Sequence, residues 1–237
     1  MDVNCDLGEG LPNDEKLMAF IDSCNIACGG HAGDQQSMVK SLRLAKQYGV
    51  KAGAHPSFED RQNFGRKEMK LSLGSLRSVL IKQIGKLNSL AESEGVRLHH
   101  VKAHGALYNL AARSEEVAEV LIEAVGFIQP ELCIFVPYGS VLEKLSKKKG
   151  IPHWVEVFAD RNYDQNMRLI ARTDPHAIIE DPTLIKERVS RMISKKTLLT
   201  VDGAELKIDF DTVCVHGDHP RSLEILKELH AIKMKEL

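Results

Sequence analysis

An irregular (β/α) barrel of seven or eight strands is the fold class that this 237-residue chain predicts. Three observations predict it. Short apolar runs alternate from end to end with helical patterns, and repeated strand-then-helix units imply parallel strands joined by right-handed crossovers. No linker or low-complexity stretch divides residues 1–237, and that length suits a single barrel domain. Three of the apolar runs end in histidine followed at once by a turn residue: Ala54-His55-Pro56, Ala103-His104-Gly105 and Val215-His216-Gly217, with Gly30-His31-Ala32 a looser fourth. Ligands and chemistry collect at the carboxyl ends of strands in α/β folds, so these histidines mark one rim. An open doubly wound sheet is the second choice.

The strand signals are Met1–Leu7, Cys24–Cys28, Val50–His55, Leu98–His104, Leu132–Pro137, Trp154–Phe158, Ala177–Ile179 and Val213–His216. Each is a short apolar run bounded by turn residues. Between them, Ser37–Tyr48 carries Met38, Leu42 and Ala45 on one face, with Gly49 placed as a C-cap. Leu76–Glu94 is closed by Gly95, and Ser114 is an N-cap with Glu115 and Glu116 in the first turn. Val141–Lys149 ends in lysines and Gly150, which suits the negative end of a helix dipole. Pro182 fits the first turn of a helix to about Lys195, and Pro220 that of a last helix to about Leu237. Pro56–Leu71 is too long for a simple turn and reads as a functional loop or lid. Lys196–Asp209 reads as an extra hairpin around a two-residue turn, Asp202-Gly203.

The formal net charge of -1 offers no basic field for nucleic acid or an anionic membrane. No apolar stretch is long enough to span a bilayer, and Met1-Asp2-Val3-Asn4 lacks a basic n-region, so no signal peptide is expected. Cys5, Cys24, Cys28, Cys133 and Cys214 sit mostly inside apolar runs, which suits buried, reduced thiols in a cytoplasmic protein. Cys24 and Cys28 lack a second Cys/His pair, so a structural zinc site is not expected.

Side chains alternate across a strand. Asn4 and Asp6 therefore share a face, as do Lys102 with His104, Glu156 with Asp160, and Cys214 with His216, while the intervening residues are apolar. Apolar residues thus face helices and ionisable ones a common interior. Charged groups there are costly unless paired, which places them in the open upper layer.

Asn4-Cys5-Asp6-Leu7-Gly8-Glu9-Gly10 brings two carboxylates to one strand end, able to hold a divalent cation or to serve as acid and base. In Asn25–Asp34 a Gly-rich turn can hold an anion, although Asp34 also suits a helix cap and no Gly-Lys-Ser/Thr follows. Arg66 can clamp a carboxylate or phosphate. Lys102 can bind an anionic substrate, and His104 can move protons near neutral pH. Glu156, Asp160 and Arg161 read either as ligand-binding groups or as an internal salt bridge, and His216 lies next to Asp218. Nucleophile-elbow, kinase and dinucleotide fingerprints are absent.

Together, Asn4–Gly10, Asn25–Asp34, Gly53–Pro56 with Phe64–Arg66, Val101–Asn109, Glu156–Tyr163 and Val213–Asp218 resemble the LamB/YcsF family in order and over almost the whole chain. Ala103 departs from a usual Pro, Gly30 from a usual aromatic, and Asn166-Met167 from a more typical Asp-Gly. The resemblance implies a fold related to the glycoside hydrolase/deacetylase barrels. It implies ATP-dependent opening of 5-oxo-L-proline to L-glutamate, with ADP and phosphate as products, in a complex with 5-oxoprolinase subunits B and C. On that expectation Asp6, His55, His104 and Lys102 carry catalysis. Asn25, His31, Arg66, Glu156, Asp160, Arg161 and His216 bind substrate or phosphate, and Asp6 with Glu9 holds the Mg²⁺ that accompanies ATP. Two rival readings are a stand-alone metal-dependent hydrolase or deacetylase and a non-catalytic substrate-binding subunit.

Overall fold

In a computed structural model that describes residues 1–234, the strands are β1 (Asp2–Leu7), β2 (Ser23–Ala27), β3 (Lys51–His55), β4 (His100–Val101), β5 (Cys133–Pro137), β6 (His153–Phe158), β7 (Thr197–Leu199), β8 (Glu205–Lys207) and β9 (Thr212–Val215). β1 to β6 pair in parallel in chain order, and β9 lies between β6 and β1, closing a seven-stranded barrel. β7 and β8 form a separate antiparallel hairpin. The helices are α1 (Asp14–Met18), α2 (Gln35–Tyr48), α3 (Leu73–Ser93), α4 (Gly105–Ala111), α5 (Glu115–Ile128), α6 (Val141–Lys149), α7 (Pro182–Lys195) and α8 (Ser222–Lys233).

Local chemistry fixes the helix ends. Asp34 accepts from the Ser37 amide, and the Ser37 hydroxyl accepts from the Asp34 amide, a reciprocal capping box that starts α2. Ser72, Ser114 and Ser140 cap α3, α5 and α6 through their hydroxyls. Gly49 and Gly150 close α2 and α6 in the left-handed conformation.

Strand alternation divides the barrel wall as its parity implies. Val3, Cys5, Ile26, Ala54, Val101, Ile134, Val157 and Val215 are buried in the apolar layer beneath the helices. The other parity, Asn4, Asp6, Asn25, His100, Lys102 and Glu156, points inward and is equally buried. In register, Asp6 sits beside Asn25, Asn25 beside Gly53, and Gly53 beside His100. Gly53 is required by that neighbour: a Cβ on it would lie 2.2 Å from His100 Nε2.

Several boundaries differ from the sequence-based expectation. Ala177–Ile179 is not a barrel strand; Ile178 makes an isolated antiparallel bridge to Arg161. Its apolar residues cover the segment after β6 and add nothing to the wall. β4 is much shorter than Leu98–His104, although the His99, Lys102 and His104 amides still bond to Ala52, Ala54 and Pro56. The β7–β8 turn has three residues, Val201-Asp202-Gly203: the Thr200 and Ala204 backbones pair, and Gly203 takes positive φ. Pro220 precedes α8, whose N-cap is Arg221; the expected extension to Lys235–Leu237 lies outside the described residues. α1 and α4 were not expected, because five and seven residues are too short for a helical period to declare itself.

Gly53→Ala forces a methyl group into the His100 ring and is expected to lower unfolding free energy by about 1–3 kcal/mol in urea titration.

Candidate active site

A lysine side chain organises the barrel interior. Lys102 is 2% exposed, and its ammonium lies 3.1 Å from Asp6 Oδ1, 3.0 Å from Glu156 Oε1, 3.0 Å from Cys214 Sγ and 3.3 Å from Asn4 Oδ1. The Asn4 amide donates to Glu156 and to Thr212. Asn25 donates to both Asn4 Oδ1 and Asp6 Oδ1 at 2.8 Å, and its own carbonyl lies 2.7 Å from His100 Nε2. His100 in turn stacks on Phe135 at 3.8 Å. Burial by itself disfavours the Lys102 ammonium; the carboxylates of Asp6 and Glu156 and the thiol of Cys214 outweigh it and raise its pKa well above the usual lysine value. Burial likewise pushes the Asp6 carboxyl up, but the imidazole of His55 and the Lys102 ammonium hold it well below the usual carboxylate range.

Above this network the rim histidines converge. His55 Nε2 lies 3.4 Å from Asp6 Oδ2 and 3.0 Å from His104 Nδ1. His31 Nε2 lies 3.0 Å from Glu9 Oε1, and the His31 ring stacks on His104 with centroids 3.6 Å apart. Burial, with His55 alongside, pushes His31 down to about 2, and burial with both neighbouring imidazoles lowers His104. Burial and the carboxylates of Asp6 and Asp218 raise Glu9. Phe64 closes one side: its ring meets His31 and His104 edge-on, its carbonyl lies 2.9 Å from His104 Nε2, and its backbone takes φ 53°. A non-glycine residue held in that conformation beside buried histidines is backbone strain at the site. The loop Pro56–Leu71 thus covers the rim.

The tautomers follow from the partners. His55 Nδ1 lies 2.7 Å from the Lys102 carbonyl, and His104 Nε2 binds the Phe64 carbonyl. Carbonyl oxygens only accept, so both nitrogens carry hydrogen. His55 Nε2 and His104 Nδ1 then face each other across 3.0 Å, where two lone pairs repel unless a proton or a metal ion lies between them.

A cavity of about 510 Å³ opens over Asp6, His55 and His104, a volume in the range of small-ligand pockets. Its mouth is cationic. Arg66 and Arg172 both bind the Asp218 carboxylate, and the Arg66 guanidinium lies over Phe64. Arg161 also lines the cavity. His216 Nδ1 lies 2.9 Å from Asp160 Oδ2, and its amide donates to the same carboxylate. Burial would raise Asp160; His216 and its hydrogen bonds outweigh that and hold the carboxyl at about 2.

The model of the LamB/YcsF family matches residues 1–236. The chain belongs to the LamB/YcsF family. It is 42% identical over 224 residues to the 5-oxoprolinase A subunit of Syntrophobacter fumaroxidans, covering 92% of this chain and 88% of the relative. Against the 5-oxoprolinase A subunit of Halalkalibacterium halodurans it is 39% identical over 236 residues, covering 98% and 92%. The crystal structure of a lactam utilization protein from Thermus thermophilus superposes with a TM-score of 0.93 at 35% identity, covering 100% of this chain and 96% of that one.

Within this LamB/YcsF barrel the expected site residues separate into two groups. Asp6, His55, Lys102, His104, Arg66, Arg161 and His216 line the cavity, and Glu9 and His31 adjoin His104. Asn25 is fully buried and spends its amide and carbonyl on Asn4, Asp6 and His100, so it is not placed to touch a ligand. Glu156 is buried against Lys102, and Lys102 has no donor left for a phosphate, because three protein oxygens and a sulfur surround its ammonium. Arg161 makes no salt bridge with Glu156 or Asp160 among the described residues. Its guanidinium bonds the Ala177 and Ile170 carbonyls, and burial with Arg172 nearby lowers it to about 10. The carboxylate that binds the His216 ring is Asp160, not Asp218. Sequence pattern gives no signal for Arg172 or His100: Arg172 lies in an irregular stretch with no period, and His100 is one of two adjacent histidines in an apolar run. Mg²⁺ takes oxygen ligands. Asp6 Oδ1 already accepts from Asn25 and Lys102, and imidazoles surround Glu9, so this donor set does not fit Mg²⁺. No helix among the described residues is long and apolar enough to cross a membrane.

Lys102→Met leaves Asp6 and Glu156 buried without their cation, and is expected to lower stability by about 3–5 kcal/mol in denaturant titration. The depressed Asp160 carboxyl contributes stability that is full above the unfolded value of about 3.9 and is lost as pH falls through about 2. The stability difference between the native chain and Asp160→Asn should therefore shrink between about pH 4 and 2.

Proposed function

We propose that this chain is the lactam-opening subunit of an ATP-dependent 5-oxoprolinase, working with subunits B and C to convert 5-oxo-L-proline to L-glutamate. The observation that carries this reading is a buried carboxylate, Asp6, kept ionised at the floor of a cavity whose mouth is lined by arginines. The names of the relatives supply the substrate class.

A five-membered lactam is a stable amide with a poor leaving group. Phosphorylation of its amide oxygen by ATP makes the ring carbon open to attack by water. In this reading Arg66 and Arg172 exchange Asp218 for the substrate carboxylate, an anion of the same geometry. That places the ring towards Asp6 and His55. Asp6 Oδ2 takes a proton from the attacking water, Lys102 keeps that carboxylate ionised between turnovers, and Asn25 holds its other oxygen still. The carbon–nitrogen bond then breaks with protonation of the ring nitrogen, and the acyl phosphate hydrolyses to glutamate and phosphate. Arg161, fixed to two backbone carbonyls at the cavity wall, adds positive potential for the phosphoryl group.

The test is 5-oxoproline-dependent ATP hydrolysis with subunits B and C, in the presence and absence of this chain. Turnover is expected only when the chain is present. Asp6→Asn should lower kcat about 10²–10⁴-fold, the usual worth of a general base. Arg172→Ala should raise KM for 5-oxoproline more than it lowers kcat. Full turnover by Asp6→Asn, or equal turnover without ATP, would sink this reading.

A further inference from the structure

Glu9, His31, His55 and His104 each offer a ligand atom, and these four atoms lie within 4.8 Å of one another. His55 Nε2 and His104 Nδ1 are 3.0 Å apart, and His104 Nδ1 is 3.7 Å from Glu9 Oε1. Ligand atoms about 2.1 Å from an ion lie roughly 3.0 Å apart in an octahedron and roughly 3.4 Å apart in a tetrahedron. The observed spacings bracket those edges.

Ring orientation selects among the four. A metal lies in the plane of the imidazole that binds it. The His31 and His104 rings are parallel within 4° and 3.6 Å apart, so one ion cannot lie in both planes. The His55 ring stands at 88° to His104, and their facing nitrogens can share an ion. Both rings also carry the hydrogen bond that metal-binding histidines almost always make through the other nitrogen: His55 to the Lys102 carbonyl and His104 to the Phe64 carbonyl. His31 has a different part. It contacts Glu9 Oε1 through Nε2, while its buried Nδ1 has no partner among the described residues.

We propose that His55 Nε2, His104 Nδ1 and Glu9 Oε1 form a two-histidine, one-carboxylate site for a divalent first-row transition metal. His31 is its positioning residue, holding Glu9 and stacking on His104. Imidazole nitrogen beside one carboxylate selects ions such as Zn²⁺, Mn²⁺, Fe²⁺ or Co²⁺ over Mg²⁺. Three protein ligands leave positions open towards the cavity for water or a substrate oxygen. Between these two facing nitrogens the metal ion would take the place that a proton otherwise fills. The assignment stands on ligand geometry and does not depend on the lactam reading.

The test uses the full chain stripped with EDTA and titrated with Co²⁺. One equivalent should survive gel filtration, visible d–d absorption should appear, and paramagnetically shifted NMR signals should report two coordinated imidazoles. Zn²⁺ should displace the Co²⁺, and Mg²⁺ in large excess should not. His104→Gln and Glu9→Gln should each lose retention, while His31→Ala should bind about 10–100-fold more weakly, as loss of a ligand-orienting partner does. His176→Ala, an exposed histidine elsewhere, should bind as the native chain does. No retained metal, no shifted imidazole signals in the native chain, or native-like retention in His104→Gln would overturn the site. The native-chain spectra decide the matter even if the ligand variants fail to fold. Metal retention without 5-oxoproline turnover would count against the lactam reading alone; turnover without metal retention would count against the metal site alone.

Discussion

Everything inside this barrel is arranged around one buried ammonium. Barrel interiors are ordinarily packed with layers of branched apolar side chains. Here Lys102 stands in the interior and is tolerated only because Asp6, Glu156, Asn4 and Cys214 meet it within hydrogen-bond distance. Two carboxylates share the one ammonium, and the Asn25 and Asn4 amides donate to the same Asp6 and Glu156 oxygens that face it. An apolar replacement of the whole set could be equally stable. What the charged set provides is a carboxylate that stays ionised though out of water.

That constraint propagates outward. Asn25 must face Asp6, which sets the register of β1 on β2, and Gly53 must leave room for the His100 ring that completes Asn25. Gly217 must lack a side chain as well, since a Cβ there would sit 2.5 Å from the Asp6 carbonyl. At the rim, His55 reaches from Asp6 to His104, so one imidazole ties the carboxylate at the cavity floor to the rim histidines. The loop carrying Phe64 and Gly65 then presses on His31 and His104 from outside. Gly30 lies against the Gln83 amide, which bonds both the amide and the carbonyl of Ser57.

Much of this was legible in the residues. Parallel strands, the shared inward face of Asn4 and Asp6, and the convergence of His55 and His104 all follow from two-residue alternation and turn punctuation. The hairpin after α7 and the caps at Asp34, Ser114 and Gly150 follow from turn and cap chemistry. Pairing was not legible, because it joins residues far apart in the chain. Lys102 read as an anion anchor; its true neighbours come from β1, β6 and β9. His216 lies two residues from Asp218 yet binds Asp160, because a side chain's direction at a strand end outweighs nearness in sequence. Ala177–Ile179 has the composition of a strand but no open edge to join, since β6 and β9 already pair. Arg172 is placed by an irregular segment, where neither period nor propensity carries information.

The central claim is that Lys102 serves the protein's own carboxylates and that ligands meet Asp6 and the arginines instead. A crystal structure of the chain with 5-oxo-L-proline tests it most directly. The account predicts the ligand carboxylate on Arg66 and Arg172 in place of Asp218, the ring carbonyl towards Asp6 and His55, and Lys102 Nζ still held by Asp6 and Glu156. A ligand carboxylate or carbonyl bound to Lys102 Nζ, with Asp6 released, would contradict it.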